Sequence, residues 1–177
     1  MNNGSMRLIR PSEHRPQRWK NGGGTTTEIV REPASDATPE DRFLYRVSIA
    51  DVASDGPFSS FEGYDRHIML LSGNGMRLDC GEHGSLLLTK HEPRSFSGDW
   101  KVTGTLLDGP VRDFNLMVDR ARLRATLEVT ATARVLSADV CIVHILAGPG
   151  EGDTYVGEGQ VEIPAGVTAA SARLFRS

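Results

Sequence analysis

The stretch Trp19-Lys20-Asn21-Gly22-Gly23-Gly24-Thr25-Thr26-Thr27-Glu28 gathers more chemically special residues than any other part of the chain. Three consecutive glycines let the backbone adopt conformations closed to other residues and approach another group closely. Such a run can turn N–H groups toward an anion, and Lys20 adds a mobile positive charge. Lysine is otherwise scarce: Lys20, Lys90 and Lys101 stand against seventeen arginines. Lys20, Asn21, Gly23, Gly24 and Thr25 are therefore candidate anion contacts. A flexible turn leading into a strand is the plainer reading, and a bare glycine run by itself favours it.

A second set of recognition groups falls on strand faces. Phe43 to Ala50 alternates, with Phe43, Tyr45, Val47 and Ile49 on one face and Leu44, Arg46, Ser48 and Ala50 on the other. Arg46 on that polar face can grip a carboxylate through two parallel N–H···O bonds, with Ser48 as a polar neighbour. A solvated surface arginine is the competing reading. From Arg112 to Asp119, the residues Phe114, Leu116 and Val118 face one way, and Asp113 and Asn115 offer an acceptor and a donor on the other. Tyr64 and Arg66 follow an aromatic-rich loop containing Phe58 and Phe61. They join the candidate set, although Asp65-Arg66 reads equally well as a structural salt bridge.

Residues for other chemistries are missing. A metal site needs several donors arranged around the ion, yet His67 stands alone, His83 and His91 lie eight apart, and His144 sits inside an apolar strand. No metal or other cofactor is expected. The glycine run lacks the Gly-Lys-[Ser/Thr] ending of a phosphate loop. It also precedes a strand, whereas a dinucleotide fingerprint opens a helix. Cys80 and Cys141 have no nucleophile motif, and no Gly-x-Ser-x-Gly elbow exists. With no catalytic template present, a lip of backbone and lysine becomes a better reading of the glycine run than a bare linker.

These groups must be positioned by strands. The 177 residues suit one ordinary domain, or two small halves sharing a core. A net charge of −3 gives no reason to expect nucleic acid, and no apolar run reaches membrane-spanning length. Two distant cysteines without a CxxC fit a reducing compartment, with a single disulfide left open. The start, Met1 to Met6, lacks a signal-peptide layout, and Met6 is a candidate natural start behind an added leader. Short strands are expected at 27–31, 43–50, 67–72, 76–80, 85–89, 100–107, 112–119, 140–147, 155–156, 161–163 and 172–175. The segment 121–135 favours strand over helix by its alternation and threonines. Residues 34–41 read as a polar loop, 51–66 as a structured loop, and Gly73-Asn74-Gly75 as a hairpin turn. No helix longer than two turns is expected.

Many short strands between turn signals point to a sandwich or barrel. His67 to Gly75 resembles the strand-plus-Gly-x-Gly segment of a cupin, and Val143 to Gly148 with Val161 to Gly166 resembles a shorter second copy. The fold class is thus all-β, a cupin-like (RmlC-like jelly roll) bicupin within one domain over 1–177. Its larger half covers roughly 7–119 and its shorter half roughly 120–177.

Four segments together resemble the HutD/Ves family. They are Trp19 to Gly24 with Thr27-Glu28-Ile29; Tyr45 to Ala50; Gly56 to Arg66; and Asp113 to Met117. The resemblance spans about residues 7 to 175. It implies a bicupin without the usual metal histidines, and a non-enzymatic role in histidine utilisation. In that role the protein would bind an intermediate such as formylglutamate or formiminoglutamate and limit the pathway. Two carboxylates and an amide-like group suit Arg46, Lys20 and Asn115. The expectation is a cytoplasmic protein that binds a small anionic metabolite of dicarboxylate or acyl-glutamate type. It would have no nucleic-acid or membrane partner, and a homodimer is allowed. Two other classes stay open: a metal-independent cupin enzyme acting on a small acid, and a stress-related interaction module with a vestigial pocket.

Overall fold

The structure, a computed structural model, describes residues 6–34 and 42–177. Its strands are β1 (Met6–Ile9), β2 (Arg15–Arg18), β3 (Gly24–Pro33), β4 (Phe43–Val52), β5 (Gly56–Pro57), β6 (Tyr64–Ser72), β7 (Met76–Asp79), β8 (Ser85–Leu88), β9 (Arg94–Ser97), β10 (Thr103–Leu106), β11 (Val111–Asp119), β12 (Leu123–Thr130), β13 (Arg134–Ala147), β14 (Thr154–Ile163) and β15 (Thr168–Arg176). The only helical segments among the described residues are single 3-10 turns at Pro11–Glu13 and Gly81–His83. None is long and apolar enough to cross a membrane. An all-β architecture is what the turn-punctuated, alternating sequence demands. The polar loop expected at 34–41 lies, after Ala34, outside the described residues.

The chain divides into two compact units. One, Arg15–Ala121, contains a six-stranded antiparallel sheet in the order β2-β3-β4-β11-β6-β9 and a four-stranded sheet β5-β10-β7-β8. Both sheets contribute to a single core: Ala50, Val52, Ile68 and Leu70 come from the larger, and Met76, Leu78 and Leu88 from the smaller. In the larger sheet these core residues share the face of Arg46, Ser48 and Asn115, whereas Val47, Ile49, Phe114, Leu116 and Val118 are buried on its opposite face, so both faces of the sheet are covered. The other unit joins the residues up to His14 with Arg122–Ser177. It is one five-stranded sheet, β1-β14-β13-β15-β12, with a core of Leu136, Cys141, Val143, Ile145, Val161, Ile163, Val167 and Ala169. The N-terminal strand thus pairs with β14, Met6 opposite Gly157.

Three sequence expectations are corrected. Gly73-Asn74-Gly75 is not a hairpin turn, because β6 pairs with β11 and β9 whereas β7 pairs with β10 and β8. It is the corner at which the chain leaves one sheet for the other. Gly73, at φ 99°, makes that corner possible, since a Cβ there would fall 2.7 Å from the Pro110 carbonyl oxygen. The short runs expected at 155–156 and 161–163 are parts of one strand, β14, and the segment at 140–147 begins six residues earlier in β13. Strands β1, β2 and β9 were not anticipated. They are four residues each, and β2 is exposed throughout, so no burial pattern marks it. Cys80 and Cys141 are both free and buried.

Candidate functional site

Alternation within β4 and β11 puts the polar residues of both strands on one face of the larger sheet. Register then brings them together, because Ser48 lies directly opposite Asn115, Ala50 opposite Asp113, and Arg46 opposite Met117. On the far side of β11, Arg66 of β6 also pairs with Met117. Directly opposed residues point to the same face, so Arg46, Ser48, Arg66, Asp113 and Asn115 line one cavity of about 470 Å³. Lys20 and Asn21 from the β2–β3 turn line it, as do Ser54 to Ser59 from the loop carrying β5. Phe58, Phe61, Met76 and Met117 add apolar wall. The size and mixed lining suit a small molecule held by a few convergent polar groups.

Arg66 lies deepest among the cations, only 5% exposed. Its guanidinium sits over the rings of Phe58, Phe96 and Phe61, at 5.1, 5.1 and 5.8 Å. Ring quadrupoles stabilise a desolvated cation by about 2 kcal/mol or more in such settings. Nη1 donates to the Ser59 carbonyl at 3.2 Å and Nη2 to Asn115 Oδ1 at 2.9 Å. Asn115 Nδ2 donates in turn to Asp113 Oδ1. The polarity of this relay follows from its first member. Arginine can only donate, so the Asn115 oxygen must face Arg66 and its amine must face Asp113.

Asp113 Oδ2 is left buried with no protein partner among the described residues. A buried acceptor without a hydrogen bond costs about 1–3 kcal/mol, and more when charged. Burial accordingly raises the Asp113 carboxyl to about 7, against the opposing pull of Arg66 and the Asn115 hydrogen bond. Burial likewise lowers Arg66 to about 10, which keeps it cationic near neutrality.

Arg46 stands nearer the solvent. A bulge in β3 moves the register from Glu28 opposite Ser48 to Val30 opposite Val47. Both Ile29 and Val30 are thereby buried while Glu28 stays on the Arg46 side. Glu28 Oε2 accepts from Arg46 Nε at 2.8 Å. That contact fixes the guanidinium plane and leaves Nη1 and Nη2 available to an incoming carboxylate. Asp65 does not pair with Arg66, as the sequence allowed. Neighbouring strand residues point to opposite faces, and Asp65 meets Arg120 at 3.2 Å instead.

The remaining sequence candidates are placed elsewhere. Gly22 N–H donates to the Trp19 carbonyl, and Gly23 N–H to Asn21 Oδ1 at 3.0 Å, so these two amides close the turn itself. Gly24 serves close packing, since a Cβ there would fall 2.4 Å from the Asp51 carbonyl oxygen and 2.9 Å from the Trp19 ring. Trp19 is further held by its indole N–H donating to Thr26 Oγ1 at 2.8 Å. Gly24 and Thr25 border a separate shallow depression with Arg18, Asp51 and Arg112. Tyr64 packs against Phe43 and Phe61, and its hydroxyl hydrogen-bonds with both the N–H and the carbonyl of Phe43 at 3.0 Å. Of the eleven candidates, the cavity gathers Lys20, Asn21, Arg46, Ser48, Arg66, Asp113 and Asn115, and leaves out Gly23, Gly24, Thr25 and Tyr64.

Sequence reasoning missed Glu28 as the partner of Arg46, and Phe96 as part of the cage around Arg66. Neither has a local signal: both contacts come from strands paired at long range. Among the described residues, no group of three or more His, Cys, Asp or Glu is placed to hold a metal ion. His67 Nδ1 is 2.8 Å from Ser95 Oγ, and His144 Nδ1 is 2.8 Å from Thr154 Oγ1.

A family model described as HutD matches residues 11–169. The chain belongs to the HutD family. Among relatives, an uncharacterised 21.2 kDa protein in the hutC 3′ region of Pseudomonas putida is 40% identical over 134 residues, 75% of this chain and 69% of that protein. Protein Ves of Cronobacter sakazakii is 38% identical over 132 residues, 73% of this chain and 70% of its own. The solved structure of HutD from Pseudomonas fluorescens SBW25 (formate condition) is 30% identical with a TM-score of 0.84, covering 98% of this chain and 100% of that one. YlbA from E. coli, at 9% identity, TM-score 0.68 and coverage of 97% and 91%, shares the fold alone. The HutD/Ves resemblance read from four short segments therefore extends over nearly the whole chain, and with it the relation of the HutD family to histidine utilisation.

Proposed function

We propose that this HutD-family chain is a non-enzymatic binding protein of histidine utilisation. Its ligand is an acyl-glutamate-type anion such as formylglutamate or formiminoglutamate, and the bound state limits pathway activity or expression. In this reading each compact unit is one cupin-like half, and the Arg15–Ala121 half carries the ligand. The observation that supports it is the convergence of Arg46, Lys20, Ser48, Asn115 and Asp113 on one cavity above a caged Arg66. Two separate cations can take two carboxylates, one as a fork and one as a mobile point charge. The amide-like portion falls among groups able to hydrogen-bond it.

Calorimetric titration with formylglutamate tests the proposal. Saturable binding that weakens with salt is expected, and Arg46→Ala should reduce affinity at least tenfold. Undiminished affinity in that variant would remove Arg46 from the site. One observation favours a second reading, a metal-independent enzyme acting on a small acid: a buried carboxyl poised near neutrality can serve as acid or base. Sustained heat with product formation in the same titration would establish that reading instead.

A further inference from the structure

We propose that Asp113 Oδ2 is the group by which this cavity selects its ligand, admitting anions that carry an N–H donor in preference to plain dicarboxylates. The proposal rests on the binding role assigned above and says which part of the ligand is read most stringently.

Arg46, Lys20 and Arg66 present donors only, so they recognise oxygen atoms and are indifferent to whether the ligand also has an N–H. Arg46 and Lys20 would bind glutarate as readily as an N-acylated glutamate. Asn115 is committed at both ends, its oxygen to Arg66 and its amine to Asp113 Oδ1. Asp113 is the one cavity carboxylate that is almost wholly buried, 1% exposed, and its second oxygen has no protein partner among the described residues. Asp55, the other carboxylate on the wall, accepts the Leu106 N–H at 2.8 Å through Oδ1 and is exposed, so solvent can serve its second oxygen.

A ligand N–H therefore completes an acceptor that folding leaves unmet, whereas a ligand presenting only oxygens or methylenes there leaves it unmet. Sites built to hydrogen-bond one substrate group reject analogues lacking it far more strongly than pockets that only exclude a methylene. The charged groups around Asp113 set the terms of the contact. Arg66 of β6 and the Asn115 hydrogen bond each favour the ionised carboxylate, Arg46 from β4 bears on Arg66, and Asp51 of β4 opposes ionisation. A secondary amide or amidinium borne on the carbon next to one of two ligand carboxylates sets an N–H donor beside an anion, as the cavity sets the Asp113 acceptor among its cations.

The test compares two probes of equal carboxylate count, N-formylglutamate and glutarate, by calorimetry at pH 8 with the full chain. Wild-type protein should bind N-formylglutamate at least tenfold more tightly than glutarate. Asp113→Asn should remove most of that gap. The new amide must turn its oxygen to the Asn115 amine, so its own amine replaces the acceptor. Equal affinity of the two probes for wild-type protein would overturn the selection while leaving anion binding in place. A loss of equal size for both probes in Asp113→Asn would overturn it as well. Failure of both probes to bind wild-type protein would overturn the selection together with the binding role itself. The wild-type comparison requires no variant to fold.

Discussion

Asp113 and Arg66 are both buried in one cavity, and Asn115 bridges them with its oxygen toward the cation and its amine toward the carboxylate. This small relay gives the site a pH dependence with a definite sign. The Asp113 carboxyl is raised to about 7 by burial, so lowering pH through that value puts a proton on it. A ligand N–H needs the ionised acceptor, so binding of N-formylglutamate should release a proton and weaken as pH falls from 8 to 6. Arg66, lowered only to about 10, stays charged over that range. Affinity of N-formylglutamate should drop severalfold between those pH values, while glutarate, relieved of repulsion once Asp113 is protonated, should not weaken. Calorimetry in buffers of different ionisation heat would read the proton directly. A flat profile for both ligands would show that Asp113 does not take part. At this scale the sequence was partly legible. Strand alternation announced Arg46, Ser48, Asp113 and Asn115, but nothing near Asp113 announced that one of its oxygens would lack a partner.

At the scale of elements, the β2–β3 turn and the β6–β7 corner show two uses of glycine. The turn holds Lys20 and Asn21 at the cavity, and its own glycine amides are spent on closing it. Gly24 is where β3 passes closest to β4 and to the Trp19 ring. Gly24→Ala places a methyl against a backbone oxygen that cannot swing away. Overpacking of this kind typically costs about 1–3 kcal/mol, so the urea midpoint should fall with the slope unchanged. An unaltered midpoint would mean that β4 yields easily there. The Gly73-Asn74-Gly75 corner explains why a hairpin signal misled: a glycine turn specifies that the chain reverses, not which sheet it joins. The partner is chosen by burial, as Leu70 before the corner and Met76 after it enter the same core from opposite sheets.

At the scale of the whole molecule, the N-terminal strand β1 belongs to the unit built from the C-terminal strands. Removing residues 6–9 should therefore bare the edge of β14 and speed hydrogen exchange there, while amides of β4 and β11 in the other unit keep their protection. Exchange that quickened equally in both units would show that the two do not respond separately. The amino-acid sequence by itself determined the all-β class, the family, and the strand faces that carry the site residues. These are local or periodic properties, readable because side chains alternate along a strand. Only the tertiary structure decided which faces meet, because register between β4, β11 and β6 is set by pairings between residues far apart in the chain. It alone caged Arg66 among three phenylalanines and tied Arg46 to Glu28. It also turned the glycine run from a row of anion donors into the packed turn that presents Lys20, because a backbone amide can serve a ligand only if the fold has not already used it.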